Sequence, residues 1–255
     1  MLASLENFLA LSTADIALAG AVVLLASIVR GFSGFGLSAL IMAGLALVVA
    51  PAMLIPICFL LEGVASLLLI KNGFKKANHR VVWVLAIGSA IGVPIGLAAT
   101  TSITPEVSRI VALSIILLLA GLQLTKATNA IFELRYGLHL TGILAGIATG
   151  LAGAGGMVIA LFVLAQSIPA QQMRASMVMF LFLGLFTSGF WLYSSGLLDS
   201  LAFSRALALS PLVFLGVSAG ALLFKPSLEH IYKLFCLCLL IALASFGLLR
   251  VLITA

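Results

Sequence analysis

The chain has 255 residues, 64% of them hydrophobic and only 8% charged, against about 25% charged in an ordinary soluble domain. Too few polar groups are present to cover a water-facing surface. Apolar stretches recur along the whole length, each long enough for a bilayer core of roughly 30 Å, so the sequence is that of an all-α polytopic membrane protein. The net charge of +6 does not point to nucleic acid, because the cations stand at the ends of apolar segments, where they bias topology, and no basic run alternates with aromatics; the alternating strands of about 10 residues that build a β-barrel are also missing.

The N-terminal stretch MLASLENFLALSTAD carries Glu6 and Asp15 and no Lys or Arg, so it lacks the positive start of a secretory signal. Apolar segments are predicted over 15–50, 53–70, 81–100, 107–125, 138–167, 174–194, 203–223 and 231–251. The first has 36 residues, about 54 Å as one helix, too long for one crossing and short for two. The fifth, with 30 residues, raises the same difficulty. Each holds a glycine-rich stretch near its middle, RGFSGFG at 30–36 and TGLAGAGG at 149–156. Glycine costs about 1 kcal/mol in a helix interior, so each long segment is predicted to be two half-helices meeting at a non-helical joint.

The two anomalous segments open the two halves of the chain. A shift of 119 places Gly31, Gly34 and Gly36 on Gly150, Gly153 and Gly155, and a shift of 124 places GVPIG (92–96) on GVSAG (216–220). The chain therefore reads as two four-segment repeats, 1–127 and 128–255, forming one membrane domain. If each long segment crosses once, the repeats are parallel and Lys plus Arg divide eight to four between the sides, Arg30 excluded. If each is a hairpin that returns to its own side, the repeats are inverted. Lys71, Lys75, Lys76, Arg80, Lys126, Arg135, Arg174, Lys225 and Lys233 then face Arg109, Arg205 and Arg250. The larger asymmetry of the second arrangement favours inverted repeats. In both, the loop 71–80 is cytoplasmic. GVPIG and GVSAG fit the small-xxx-small spacing of closely packed membrane helices.

Non-helical backbone at membrane depth survives only where it is buried in protein or lines a cavity. Two such joints in matching positions point to a binding site near the midplane. A half-helix that starts at a joint exposes N–H groups with no intrahelical partner and a partial positive charge, which favours an anion. Gly34, Gly36, Gly153, Gly155 and Gly156 let a ligand approach the backbone. Ser33, Ser38 and Thr149 add hydroxyls, and Arg30 adds a full charge. The expected substrate is a small anion.

Glu62, inside LIPICFLLEGVASLLLI, is the candidate proton carrier, with protons as the coupling ion; the other readings of the same residue are a fixed partner of Arg30 and a simple lipid-facing or edge position. Its repeat equivalent is Leu181, so either role occurs once. Arg174 in QQMRAS reads as the interfacial start of a span, and His79, His139 and His230 as interfacial residues. Cys58, Cys236 and Cys238 lie in apolar stretches, and two-residue spacing sends Cys236 and Cys238 to different sides of a helix. No metal site, cofactor site, P-loop, HExxH, GxSxG or paired intramembrane carboxylates are found, so the chain is not expected to be an enzyme.

One plan runs through the chain: GFSGFG in the first segment, then Pro51, a short second segment and a basic loop, followed in the second half by GLAGAGG and IPAQQMRAS. It resembles the TauE/SafE family of membrane permeases, also called the sulfite exporter family, over essentially the whole length. In the first cluster Leu37 and Ser38 stand where the family commonly has further glycines; Gly153, Gly155 and Gly156 match it more closely. The resemblance implies a multi-pass protein of the cell's inner membrane that carries sulfite or an organosulfur anion by secondary transport, with a homo-oligomer compatible. A passive anion channel and a scaffold or assembly factor without substrate are the alternatives.

Overall fold

The computed structural model describes residues 12–74, 76–125, 137–165, 170–223 and 229–254. Glu6, Lys75, Lys126, Arg135, Lys225 and the boundary between the two halves at 127/128 lie outside the described residues, as do the side chains of His230 and Lys233. Among the described residues the chain forms ten α-helices and no strand: α1 (Thr13–Ser33), α2 (Leu37–Leu45), α3 (Pro51–Gly73), α4 (His79–Ser102), α5 (Pro105–Thr125), α6 (Gly137–Ala152), α7 (Gly155–Ala165), α8 (Ala170–Ser194), α9 (Ser200–Leu223) and α10 (Glu229–Thr254). Seven of these are long and apolar enough to cross a membrane. The chain is a multi-pass α-helical membrane protein.

Helix α1 starts on Ser12, whose hydroxyl accepts the Asp15 N–H at 3.2 Å. It stops at Gly34, with φ +83°, and α2 begins after Gly36, with φ +94°. Gly153, with φ +63°, separates α6 from α7 in the same way. These left-handed conformations are open to glycine and strained for other residues.

Beyond each glycine the chain doubles back. A Cβ on Gly44 would lie 2.8 Å from Val22, eleven residues before the end of α1. At the far end of α2 the Arg109 Nε donates to the Ala46 carbonyl at 2.7 Å, and Val48 and Val49 share a small cavity with Asp15 and Ile16 at the start of α1. In the second half, a Cβ on Gly155 would lie 2.5 Å from the Ala145 carbonyl oxygen, ten residues earlier. A helix continuing in the same direction would be about 15 Å away by then.

The helices pack reciprocally. α4 lies along α6, and α9 lies along α1; α3 and α8 touch each other, and each also touches the other half's third long helix; α5 pairs with α10. Glycines form both tight seams. Gly88, Gly92 and Gly96 face Gly142, Gly146 and Gly150, and Gly216 and Gly220 face Ser27 and Gly31, each against backbone atoms of the other helix. GVPIG and GVSAG are therefore packing motifs, and so are Gly31 and Gly150 at the edges of the two clusters.

Proline inside a helix orphans the carbonyl four residues earlier. In lipid that carbonyl needs a protein partner. Pro94 frees the Ala90 carbonyl, which accepts the Trp191 indole N–H at 2.9 Å. Pro211 frees the Leu207 carbonyl, which accepts the Ser210 hydroxyl at 2.8 Å. Ile87, Ile91 and Ile95 along α4 and Phe186 and Phe190 along α8 are exposed, as a lipid-facing stripe requires. Cys236 is buried and Cys238 exposed. His79 and His139 are exposed at helix starts.

Candidate functional site

Two charges sit deep among the helices. Arg30, in the last turn of α1, is fully buried, and Glu62, near the middle of α3, is 7% exposed. The Arg30 Nε donates to Glu62 Oε1. Its two remaining nitrogens donate to the Gly34 carbonyl at 2.6 Å and to the Ser66 hydroxyl at 3.2 Å. The Ser38 hydroxyl donates to Glu62 Oε2 at 3.1 Å. A lone ion at this depth is very costly, and a pair is tolerable only when its other hydrogen-bonding groups are also met. Here they are, and the same bonds fasten the first glycine turn to α3. Arg174, from the second turn of α8, donates to the Gly31 carbonyl. Cations are favoured at a helix C-terminus, and α1 ends between two of them.

A cavity of about 60 Å³ lies beside this network. About 10–15 Å³ of such space admits one water, so a four- or five-atom oxyanion fits. One wall is the second glycine turn, with Thr149, Gly153, Gly155 and Gly156. Gly155 and Gly156 open α7, and their amides have no carbonyl to bond within that helix. Ser38, Cys58 and Glu62 also line it, and α4 and α8 contribute Ser89 and Ser188. A Cβ on Gly156 would make ordinary contact with Phe35 and Leu181, 3.7 Å away, and Leu181 also lines the cavity. Apart from Phe180, near the middle of α8, the other lining residues come from the first half of α3 and the second halves of α4 and α8. All of these lie toward the face opposite the 74–78 loop.

The residues singled out in the sequence divide between two places. Thr149, Gly153, Gly155, Gly156 and Glu62 line the cavity. Arg30, Ser33, Gly34 and Gly36 are outside its lining and form the first turn. The Ser33 hydroxyl is engaged there, donating to the Val29 or Phe35 carbonyl at 2.7 Å and accepting the Phe35 N–H at 3.2 Å. Thr149 donates to the Ala145 carbonyl at 2.8 Å, which leaves its oxygen as an acceptor. Arg174 reaches inward to the first turn. Ser89 and Ser188 escaped sequence reasoning; the available signal was a hydroxyl in an apolar run, alone within AIGSAIG and beside Thr187 within LFTSGF.

A family model described as sulfite exporter TauE/SafE matches residues 19–246. No curated protein and no solved structure matches the chain.

Proposed function

The chain belongs to the sulfite exporter TauE/SafE family, and on that premise we propose that it is a secondary transporter of sulfite or a sulfur oxyanion of similar size. The observation that carries this is the cavity set between the α7 amides and the Glu62–Arg30 pair. The amides of Gly155 and Gly156 and the hydroxyls of Ser89 and Ser188 hold the anion, and Arg30 supplies charge through the field rather than by contact. Gly153 turns the chain so that the amides point inward.

Glu62 gives the site its coupling. An anion about 5 Å from an ionised carboxylate is repelled by about 3 kcal/mol at an effective dielectric near 20. A proton on Glu62 removes that repulsion and leaves Arg30 unbalanced, and the incoming anion balances it. Anion and proton therefore travel together.

The scaffold in this reading is a pair of inverted repeats, each a hairpin (α1–α2 or α6–α7) followed by three crossing helices. The reciprocal packing of α4 on α6 and α9 on α1 supports it, as does the doubling back at each glycine turn. An odd number of crossings per half puts Lys71, Lys76, Arg80 and Arg174 on one face and Arg109, Arg205 and Arg250 on the other, in line with the positive-inside rule. Alternating access in this reading follows from rocking of one repeat against the other.

The test is sulfite flux into proteoliposomes with and without an inward proton gradient, run beside a thermal-stability screen of sulfite, thiosulfate, sulfate and sulfonates. A bound ligand raises stability by RT ln(1 + [L]/Kd). Proton-driven accumulation of sulfite is the expected result. Absence of both flux and thermal shift for every one of these anions overturns the reading.

A further inference from the structure

The inverted-repeat reading gives the cavity a counterpart on the side of the 74–78 loop, and the role assigned to that counterpart rests on this reading. Exchanging the halves at a shift of 119 carries Gly153 to Gly34, and carries Arg174 onto Ile55. Ile55 and Gly153 both line the open cavity. At the counterpart the place of Ile55 is taken by Arg174. The Arg174 stem lies directly on the first turn, so that a Cβ on Gly34 would be 2.8 Å from its Cγ and 3.4 Å from its carbonyl oxygen. Its guanidinium donates to the Gly31 carbonyl. Where Ile55 borders the open cavity, its counterpart on the loop side is a cationic side chain laid across the first glycine turn.

We propose that Arg174 is the gate of the loop-side half of the path, and that on opening it exchanges the Gly31 carbonyl for the transported oxyanion. The chemistry favours that exchange. Gly31 lies in the last turn of α1 and offers a carbonyl with only a partial negative charge. An oxyanion offers a full charge and two acceptors in the planar geometry a guanidinium matches. The anion is a better partner than the carbonyl, so its arrival from the loop side draws Arg174 off the turn and uncovers Gly34. The flat, fully charged head serves both states: bonded to Gly31 it holds the stem over the turn, and released it binds the anion.

The experiment reads accessibility, so it does not depend on flux. Cys58, Cys236 and Cys238 are replaced by Ala, and Ser33→Cys is introduced as the reporter beside Gly34. A membrane-impermeant maleimide is applied from the loop side of oriented vesicles. With Arg174 present, labelling is expected to be slow; R174A and R174Q should raise its rate about tenfold, and R174K should restore the slow rate. R174Q keeps most of the stem, so it serves where R174A fails to fold. Equal labelling rates for the parent, R174Q and R174A overturn the gate. Sulfite is then added: it should accelerate labelling of the parent and leave R174A unchanged. If R174A and R174Q open the path while sulfite leaves the parent unaltered, the gate stands and the sulfite assignment falls.

Discussion

Glu62 holds two partners that belong to different parts of the molecule, Arg30 at the first glycine turn and Ser38 on the cavity wall. Replacing it with Gln keeps the size and much of the hydrogen bonding but leaves Arg30 buried without its counter-charge, a defect that typically costs about 3–5 kcal/mol. E62Q is therefore expected to melt well below the parent. It should also recover more stability than the parent does on adding sulfite, because the anion now supplies the missing charge. Its flux should lose dependence on pH. Parallel melting curves at rising sulfite, with uptake at pH 5.5 and 8, check all three outcomes. Equal stabilisation of both proteins by sulfite would remove Glu62 from the coupling. At this scale the sequence was readable wherever a polar residue stood out against an apolar background: Glu62, Arg30 and Thr149 are of that kind. Which of them line the cavity was not readable, because it depends on side-chain direction. Ser33 and Ser38 are five residues apart, yet one is spent on its own turn and the other faces the site. Arg174 looked like a surface anchor because its position near the start of α8 says nothing of a long stem lying inward across another helix.

The glycine seams decide how closely the helices approach. A Cβ on Gly96 or Gly220 would collide with backbone of the facing helix, and backbone cannot give way as a side-chain tip can. Gly96→Leu and Gly220→Leu are each expected to prevent stable folding, since overpacking a well-filled core costs about 1–3 kcal/mol even where neighbours are free to shift. Gly121→Ala is the contrasting case: nothing lies within 4 Å of its added Cβ, and helix propensity favours alanine by up to about 1 kcal/mol. Monodispersity and melting temperature in detergent separate the three variants. Trp191→Phe should cost about 1–3 kcal/mol by orphaning the Ala90 carbonyl that Pro94 has freed. A melting temperature for W191F equal to the parent's would show that carbonyl bonded elsewhere. Helix spans were legible from apolar run length almost to the residue, as 107–125 against Pro105–Thr125 shows. The pairing of seams was not, because small-xxx-small spacing marks a face without naming its partner.

For the whole molecule the decisive question is which loops share a side, and the two repeat geometries answer it differently. If each long segment crosses once, the 74–78 and 195–199 loops lie on the same side. If each doubles back, the two loops lie on opposite sides. The contacts of Gly44 with Val22 and of Gly155 with Ala145 support the doubling back that we propose. Composition alone left the choice to a charge asymmetry, because a hairpin and a straight crossing have the same length, hydropathy and glycine content; only the direction taken after Gly34 and Gly153 differs, and that is a matter of two or three backbone torsions. In a cysteine-free chain, Lys76→Cys and Ser195→Cys place reporters at exposed positions in the two loops. An impermeant maleimide added outside intact cells is expected to label the cysteine at 195 and to reach the one at 76 only after the membrane is opened. Labelling of both from one side would make the repeats parallel, and the correspondence of Gly34 with Gly153 across the membrane, with the paired inner and outer half-paths built on it, would be lost.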